Sequence, residues 1–346
     1  MKQIKTYSLF FLITALLFST ASYSQDFSDP VQYMDYIEKA NDALTEKYLV
    51  YLSGMSHGKN ARKVEKRRLE VVDAISNTRY SIVGMPPFKG DRTLRDTTVT
   101  YLKIMNSVFN EDYGKIVNLE DIAEQSYDAM EAYMLAKEKA NEKLMQAADK
   151  QYEMEKKFAA SHNIKLIEAE TETSAKMKTA SAVMKHYNEV YLIFFKSYKQ
   201  EAYLTEALNQ KKINAVEQNL NSLQTFSENG LAKLKGIKGY SGDASLIISC
   251  RNMLNFYLDE AKKGSAMTDY FLKEENFAKL KKQFDASKHT QKDVDQYNKT
   301  VEELNATGNA YNANNASLNK ERSSNLDNWN KTVKKYMDNY IPYQQR

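Results

Sequence analysis

Apolar residues recur along most of this chain at steps of three and four. The clearest run lies near the C-terminus, through Val294, Tyr297, Val301, Leu304, Tyr311, Leu318, Leu326, Trp329, Val333, Tyr336 and Tyr340. Such spacing is a heptad seam, the mark of helices pressed together along one stripe. Asn315 and Arg322 are polar members that weaken the middle of the seam, and Gly308 offers a place to bend. Prolines stand at 30, 86, 87 and 342, with none between Pro87 and Pro342. Strand-rich chains are cut by turn residues every ~8–12 positions, and this one is not. The pattern predicts an all-α fold.

Punctuation places the helices. Asp29 and Pro30 cap and open a first helix that runs to about Ser53, where Gly54 closes it. A second runs from Ser56 to Val83 with Gly84 as its stop. Asp91 caps a third, ending near Phe109, and Asn118 caps a fourth that runs to Ser161, with Asn163 suited to a left-handed turn. A fifth is expected over 172–208 and a sixth to Lys235. Asp243 caps a seventh, an eighth lies near 266–286, and the heptad helix completes the chain.

Two segments repeat one pattern, G-x-x-x-[FY]-x-G-D-x-[ST]-L, 152 residues apart: Gly84, Phe88, Gly90 and Asp91 in the first, Gly236, Tyr240, Gly242 and Asp243 in the second. At the same separation Tyr51-Leu52 falls on Tyr203-Leu204, Val64 on Val216 and Leu102 on Leu254. This predicts two tandem, related antiparallel helical-bundle repeats, one over 25–165 and one over 166–346. As a connector, the first Gly ends a helix with positive φ, the aromatic plugs the bundle end, the second Gly turns the chain and Asp caps the next helix. The other reading is a pair of equivalent ligand loops at one end of the molecule.

Residues 1–24 have the three parts of a secretory leader: Lys2 and Lys5, the apolar run Ser8–Phe18, and Ser22 and Ser24 before a cut at Gln25. The expectation is export to the periplasm or cell surface, with no membrane span in the mature chain. The formal charge is +4, and loss of Lys2 and Lys5 leaves +2. That balance argues against nucleic acid as a partner. Cys250 is the single cysteine, so no disulfide forms within the chain.

Each candidate chemistry has a plainer structural explanation. The basic run from His57 to Arg68 suits an anionic surface, or simply a solvated helix face. Arg68 and Arg79 fall on or beside the apolar side of their helix and need partners. Glu124 and Asp128, one turn apart on the expected fourth helix, are the partners proposed, as an ion-pair network or a polar cleft. Ser56-x-x-Lys59 matches an acyl-enzyme string, but the strands and companion strings that chemistry needs are missing. The histidines are scattered, and no Glu-x-x-His or H-E-x-x-H occurs, so neither a metal nor another cofactor is expected.

Five segments carry a family resemblance: DPVQYMDYI (29–37), SHGKNARKVEKRRLEVV (56–72), GMPPFKGDRTLRD (84–96), VFNEDYGKIVNLEDIAEQSYDAMEAY (108–133) and YNEVYLIFFK (187–196). They resemble an uncharacterised family of signal-peptide-bearing bacterial surface and envelope proteins. The resemblance implies export and a surface or periplasmic location, and carries no catalytic residues. The sequence as a whole points to a non-enzymatic binding or structural module with an envelope or extracellular partner, most simply a protein. The alternative is a carrier holding a small apolar or lipid ligand between its Met- and Tyr-rich helices.

Overall fold

The computed structural model describes residues 27–57, 61–166, 172–286 and 288–341; the expected leader lies outside them. The helices are α1 Pro30–Ser56, α2 Ala61–Val83, α3 Thr93–Ser107, α4 Tyr113–Ala123, α5 Tyr127–Ser161, α6 Glu172–Asn209, α7 Ile213–Leu234, α8 Ser245–Asp285 and α9 Gln291–Tyr340. A π-helical turn, Val108–Asp112, joins α3 to α4. Among the described residues there is no sheet, only two isolated bridges inside loops. No helix there is long and apolar enough to cross a membrane.

Local chemistry explains the ends. Asp29 accepts from the Gln32 amide at 2.9 Å with Pro30 in the first turn. Ser126, in extended conformation, accepts from the Ala129 amide at 3.1 Å and starts α5. Thr290 and Asp293 cap α9 reciprocally. Sequentially neighbouring helices pack side by side: α1 on α2, α2 on α3, α3 and α4 on α5, then α6 on α7, α7 on α8 and α8 on α9. Helix α6 lies against both α1 and α5 and so joins the two groups. Asn141 donates to Ser181 Oγ at 3.1 Å, and Tyr203 OH to the Gln125 carbonyl at 3.1 Å. At the far end of α1, Ser56 Oγ meets Met184 Sδ at 3.4 Å and His57 Nε2 lies 3.1 Å from Asp338.

Four expectations about helix ends are corrected. Helix continues from Thr93 to Ala123, where a break around 110–117 was expected. The Asn-Glu-Asp stretch is absorbed by the π turn, whose Phe109 stacks on Tyr113 at 5.1 Å in the core. The expected fourth helix is instead interrupted at Gln125–Ser126. Helix α8 runs through Gly264 without a stop, because the missing Cβ leaves room for Leu220, whose Cδ2 would lie 2.2 Å from it. Gly54 likewise sits inside α1, making space for Arg67, which donates to the Val50 carbonyl at 2.8 Å.

Burial recurs at fixed separations. From α2 to α7 and from α3 to α8 it is 152, with Arg68/Leu220, Val71/Leu223, Ile75/Ser227, Leu94/Leu246 and Leu102/Leu254 all buried. From α1 to α6 it is 153, pairing Ile37 with Val190, Tyr48 with Glu201 and Tyr51 with Leu204. The Tyr51/Tyr203 match is therefore a coincidence of letters: Tyr51 is buried and Tyr203 is exposed. The step from 153 to 152 follows from the connectors, 57–60 against 210–212. From α5 to α9 the separation rises to 178, with Ala140/Leu318, Gln151/Trp329 and Phe158/Tyr336 buried. The added length lies in the α8–α9 hairpin, where no described residue between 272 and 317 is buried.

Candidate functional site

The two Gly-Asp loops share one conformation. Lys89 and Gly90 have φ of 49° and 91°, and Ser241 and Gly242 have 48° and 84°. Two successive left-handed residues make the type I′ turn, which favours Gly at its second position. Positive φ thus falls on Gly90 and Gly242, not on Gly84 and Gly236, which only follow a helix end. Phe88 bridges to Asp91, and Tyr240 to Asp243. Asp91 accepts from the Thr93 amide at 2.7 Å and Asp243 from the Ser245 amide at 2.8 Å. Hydrogen bonds from Thr93 hold the Asp91 carboxyl below its usual range. At Asp243 burial pushes upward, but bonds from Ser245 and Tyr340 outweigh it.

Each loop is plugged by aromatics of its own helices. Phe88 lies against Tyr33, Phe158 and His162, at ring separations of 5.4, 5.3 and 4.7 Å. Tyr240 meets Tyr340 edge-on at 5.1 Å, and His186 Nδ1 lies 3.0 Å from the Tyr336 hydroxyl. Tyr33 stands near the start of α1, whereas His186 stands at the level where α1 ends. Most of α1, about 35 Å of helix, separates the loops. They do not open on one pocket.

The four residues proposed as a cleft are not one site. Arg68 is buried and has other partners: Glu65 on its own helix, at 2.7 and 2.9 Å, and the Phe109 carbonyl in the π turn, at 2.5 Å. Arg79 is half-buried and rests on the Tyr80 ring, 5.4 Å from its centroid. Glu124 ends α4 exposed, while Asp128 belongs to α5, because Gln125–Ser126 breaks the helix between them. Asp128 instead lines an open groove of about 310 Å³ with Tyr127, Lys196, Lys199, Tyr203 and Phe226. Lys196 Nζ is sandwiched there, 4.5 Å from Tyr127 and 4.8 Å from Phe226.

The densest buried charge was missed by sequence reasoning. Glu201 from α6, Glu260 from α8 and Arg322 from α9 meet in the second group of helices. Arg322 Nε lies 2.6 Å from Glu201 Oε1, and its Nη2 donates to Glu260 Oε1. Both acids are buried, at 6% and 2% exposure. Glu260 Oε2 and the Tyr257 hydroxyl are buried with no hydrogen-bond partner. Burial first, and the Glu201 charge second, push the Glu260 carboxyl up to about 7 against the pull of Arg322. The signal was present: Arg322 stands on the heptad seam, and Glu260 on the stripe of Cys250, Met253 and Tyr257. Charge on two facing apolar stripes calls for a mutual partner.

Among the described residues no group of three or more His, Cys, Asp or Glu is arranged to hold a metal ion. Cys250 is fully buried, and burial raises its thiol to about 12. Two interhelical contacts are closely filled: Leu220 enters the space at Gly264 and Leu254 that at Gly230. The chain matches no protein-family model, no curated protein and no solved structure.

Proposed function

We propose that this chain is exported and acts, without catalysing a reaction, as a binding or structural module of the cell envelope or surface. Its mature part is two tandem helical repeats, the second carrying an added hairpin as its contact element. The equal loop geometry and the recurrent burial at 152 and 153 support the repeat. The three-part leader and the resemblance to exported proteins support the location.

One observation carries the contact role: the repeats differ in length where α8 and α9 leave the body, and no described residue from 272 to 317 is buried there. Ala278 still lines a groove with Lys211 and Ile213, and from there to Asp285 the hairpin extends roughly 10 Å further. Its seam is Phe277, Phe284 and Tyr297, with Phe284–Tyr297 at 4.5 Å, each only half-covered by the other helix. An exposed two-helix arm adds little to a core and presents a long face to a partner.

The test replaces 276–305 by a short Gly-Asn turn. The trimmed protein should keep its urea midpoint and lose a partner that the full chain captures by crosslinking in envelope fractions. Capture unchanged by trimming, or no specific partner for the full chain, would overturn the contact role. N-terminal sequencing of the exported protein should begin at Gln25; an intact leader would remove the location.

A further inference from the structure

We infer that Glu201, Glu260 and Arg322 form a proton-operated latch that holds α9 to α6 and α8. The latch does not depend on what the hairpin binds. Two carboxyl groups share one guanidinium, so the buried cluster is neutral only while one acid keeps its proton. Geometry says which one. Thr205 Oγ1 also donates to Glu201, at 3.1 Å, whereas Glu260 Oε2 is buried without a partner. A bare buried carboxylate oxygen is costly charged and far cheaper as an acid.

The surroundings offer nothing else to neutralise it. Helix α6 presents Glu201 and Tyr198, α8 itself Tyr257, and α9 Arg322. Helix α7 brings the apolar Leu220 toward α8 one turn beyond, at Gly264. Lys263, Asp259 and Glu321 pair with one another on the outer side. In the first repeat the equivalent positions hold Tyr48, Val108 and Leu144, so no such acid is buried there.

The sign follows from linkage. The closed form holds the Glu260 proton up to about 7, while an open, hydrated form releases it near the ordinary value of 4.5. Between those limits each pH unit favours opening about tenfold, and above them the gain levels off. Opening should therefore rise on the order of a hundredfold from pH ~5 to pH ~8.

Hydrogen exchange of the full chain, corrected for its intrinsic pH dependence, reads this directly. Peptides over 253–267 and 315–330 should lose protection by about that factor, with α2 and α3 as an unshifted internal reference. Glu260→Gln should abolish the step and leave α9 protected at high pH. Glu201→Gln, which leaves one acid per guanidinium, should also abolish it and serves if the first variant folds poorly. A wild-type chain without the step, or a step that survives in either variant, overturns the latch.

Discussion

Removing the Arg68 side chain should unsettle the first group of helices through a carbonyl more than through an ion pair. Arg68 is 8% exposed at its side chain and Glu65 36%. In Arg68→Ala, Glu65 can turn to water, so the lost pair costs only ~0–1 kcal/mol. The Phe109 carbonyl cannot, since Phe109 is fully buried, and an unpaired buried acceptor costs ~1–3 kcal/mol. The missing stem removes two methylenes of packing, Cγ and Cδ, roughly 1.5 kcal/mol. The expected loss is ~3–5 kcal/mol by urea unfolding, or about 10 °C in Tm. Arg68→Leu, which places there the residue found at position 220, restores volume but not the donor and should lose ~1–3 kcal/mol. Glu65→Ala should lose ~1 kcal/mol or less. If Glu65→Ala costs as much as Arg68→Ala, the ion pair is the tie and the carbonyl is not. A loss under ~1 kcal/mol in Arg68→Ala would mean that the π turn does not need its donor.

Gly90→Ala and Gly242→Ala should each cost ~1 kcal/mol, and equally, because both glycines have positive φ and open space around the missing Cβ; urea midpoints differing by more than ~2 kcal/mol would break the equivalence of the loops. Gly264→Ala should lose ~1–3 kcal/mol by overpacking Leu220, and adding Leu220→Ala should recover part of it; additive losses would show the contact is not the cause. Cys250, with its thiol raised to about 12, should react with iodoacetamide near pH 8 only as fast as the helices around it open; immediate labelling of native protein would contradict its burial.

Helices α6 and α7 were among the more legible ones. The expected ends of the fifth and sixth helices, 208 and Lys235, fall beside the observed Asn209 and Leu234, because regular apolar steps there meet clear stops. Legibility failed where tertiary packing overrode local propensity. The π turn keeps poor helix formers helical by burying Phe109 and Tyr113, and Gly264 is held inside α8 by a leucine from another helix. The partner of Arg68 was hidden for another reason. It is a main-chain oxygen, which no side-chain pattern announces, and the other partner, Glu65, stands one turn away on the same helix. Long-range charge pairs such as Glu201 with Arg322 depend on which helices end up adjacent, and periodicity does not report that.

On the proposed duplication, α1 and α6 present equivalent stripes, which raises the problem of pairing with the wrong helix. The polar cluster discriminates between them. Were α6 to take the place of α1, Glu201 would stand where Tyr48 stands, against the rings of Tyr51 and Phe109, as a buried carboxylate away from Arg322. That costs several kcal/mol. Were α1 to replace α6, Arg322 and Glu260 would be left facing Tyr48. On this argument the cluster is kept for correct pairing at no gain in stability. Exchanging it for the residues at the matching positions of the first helix group, Glu201→Tyr with Glu260→Val and Arg322→Leu, should leave stability unchanged or raise it by ~1–4 kcal/mol. The same variant should refold from urea with a larger share of mispaired or swapped dimers, measured by size exclusion at several protein concentrations. A triple variant that loses several kcal/mol would make the cluster a stabilising element instead. One that refolds as cleanly as the wild type would remove the pairing argument.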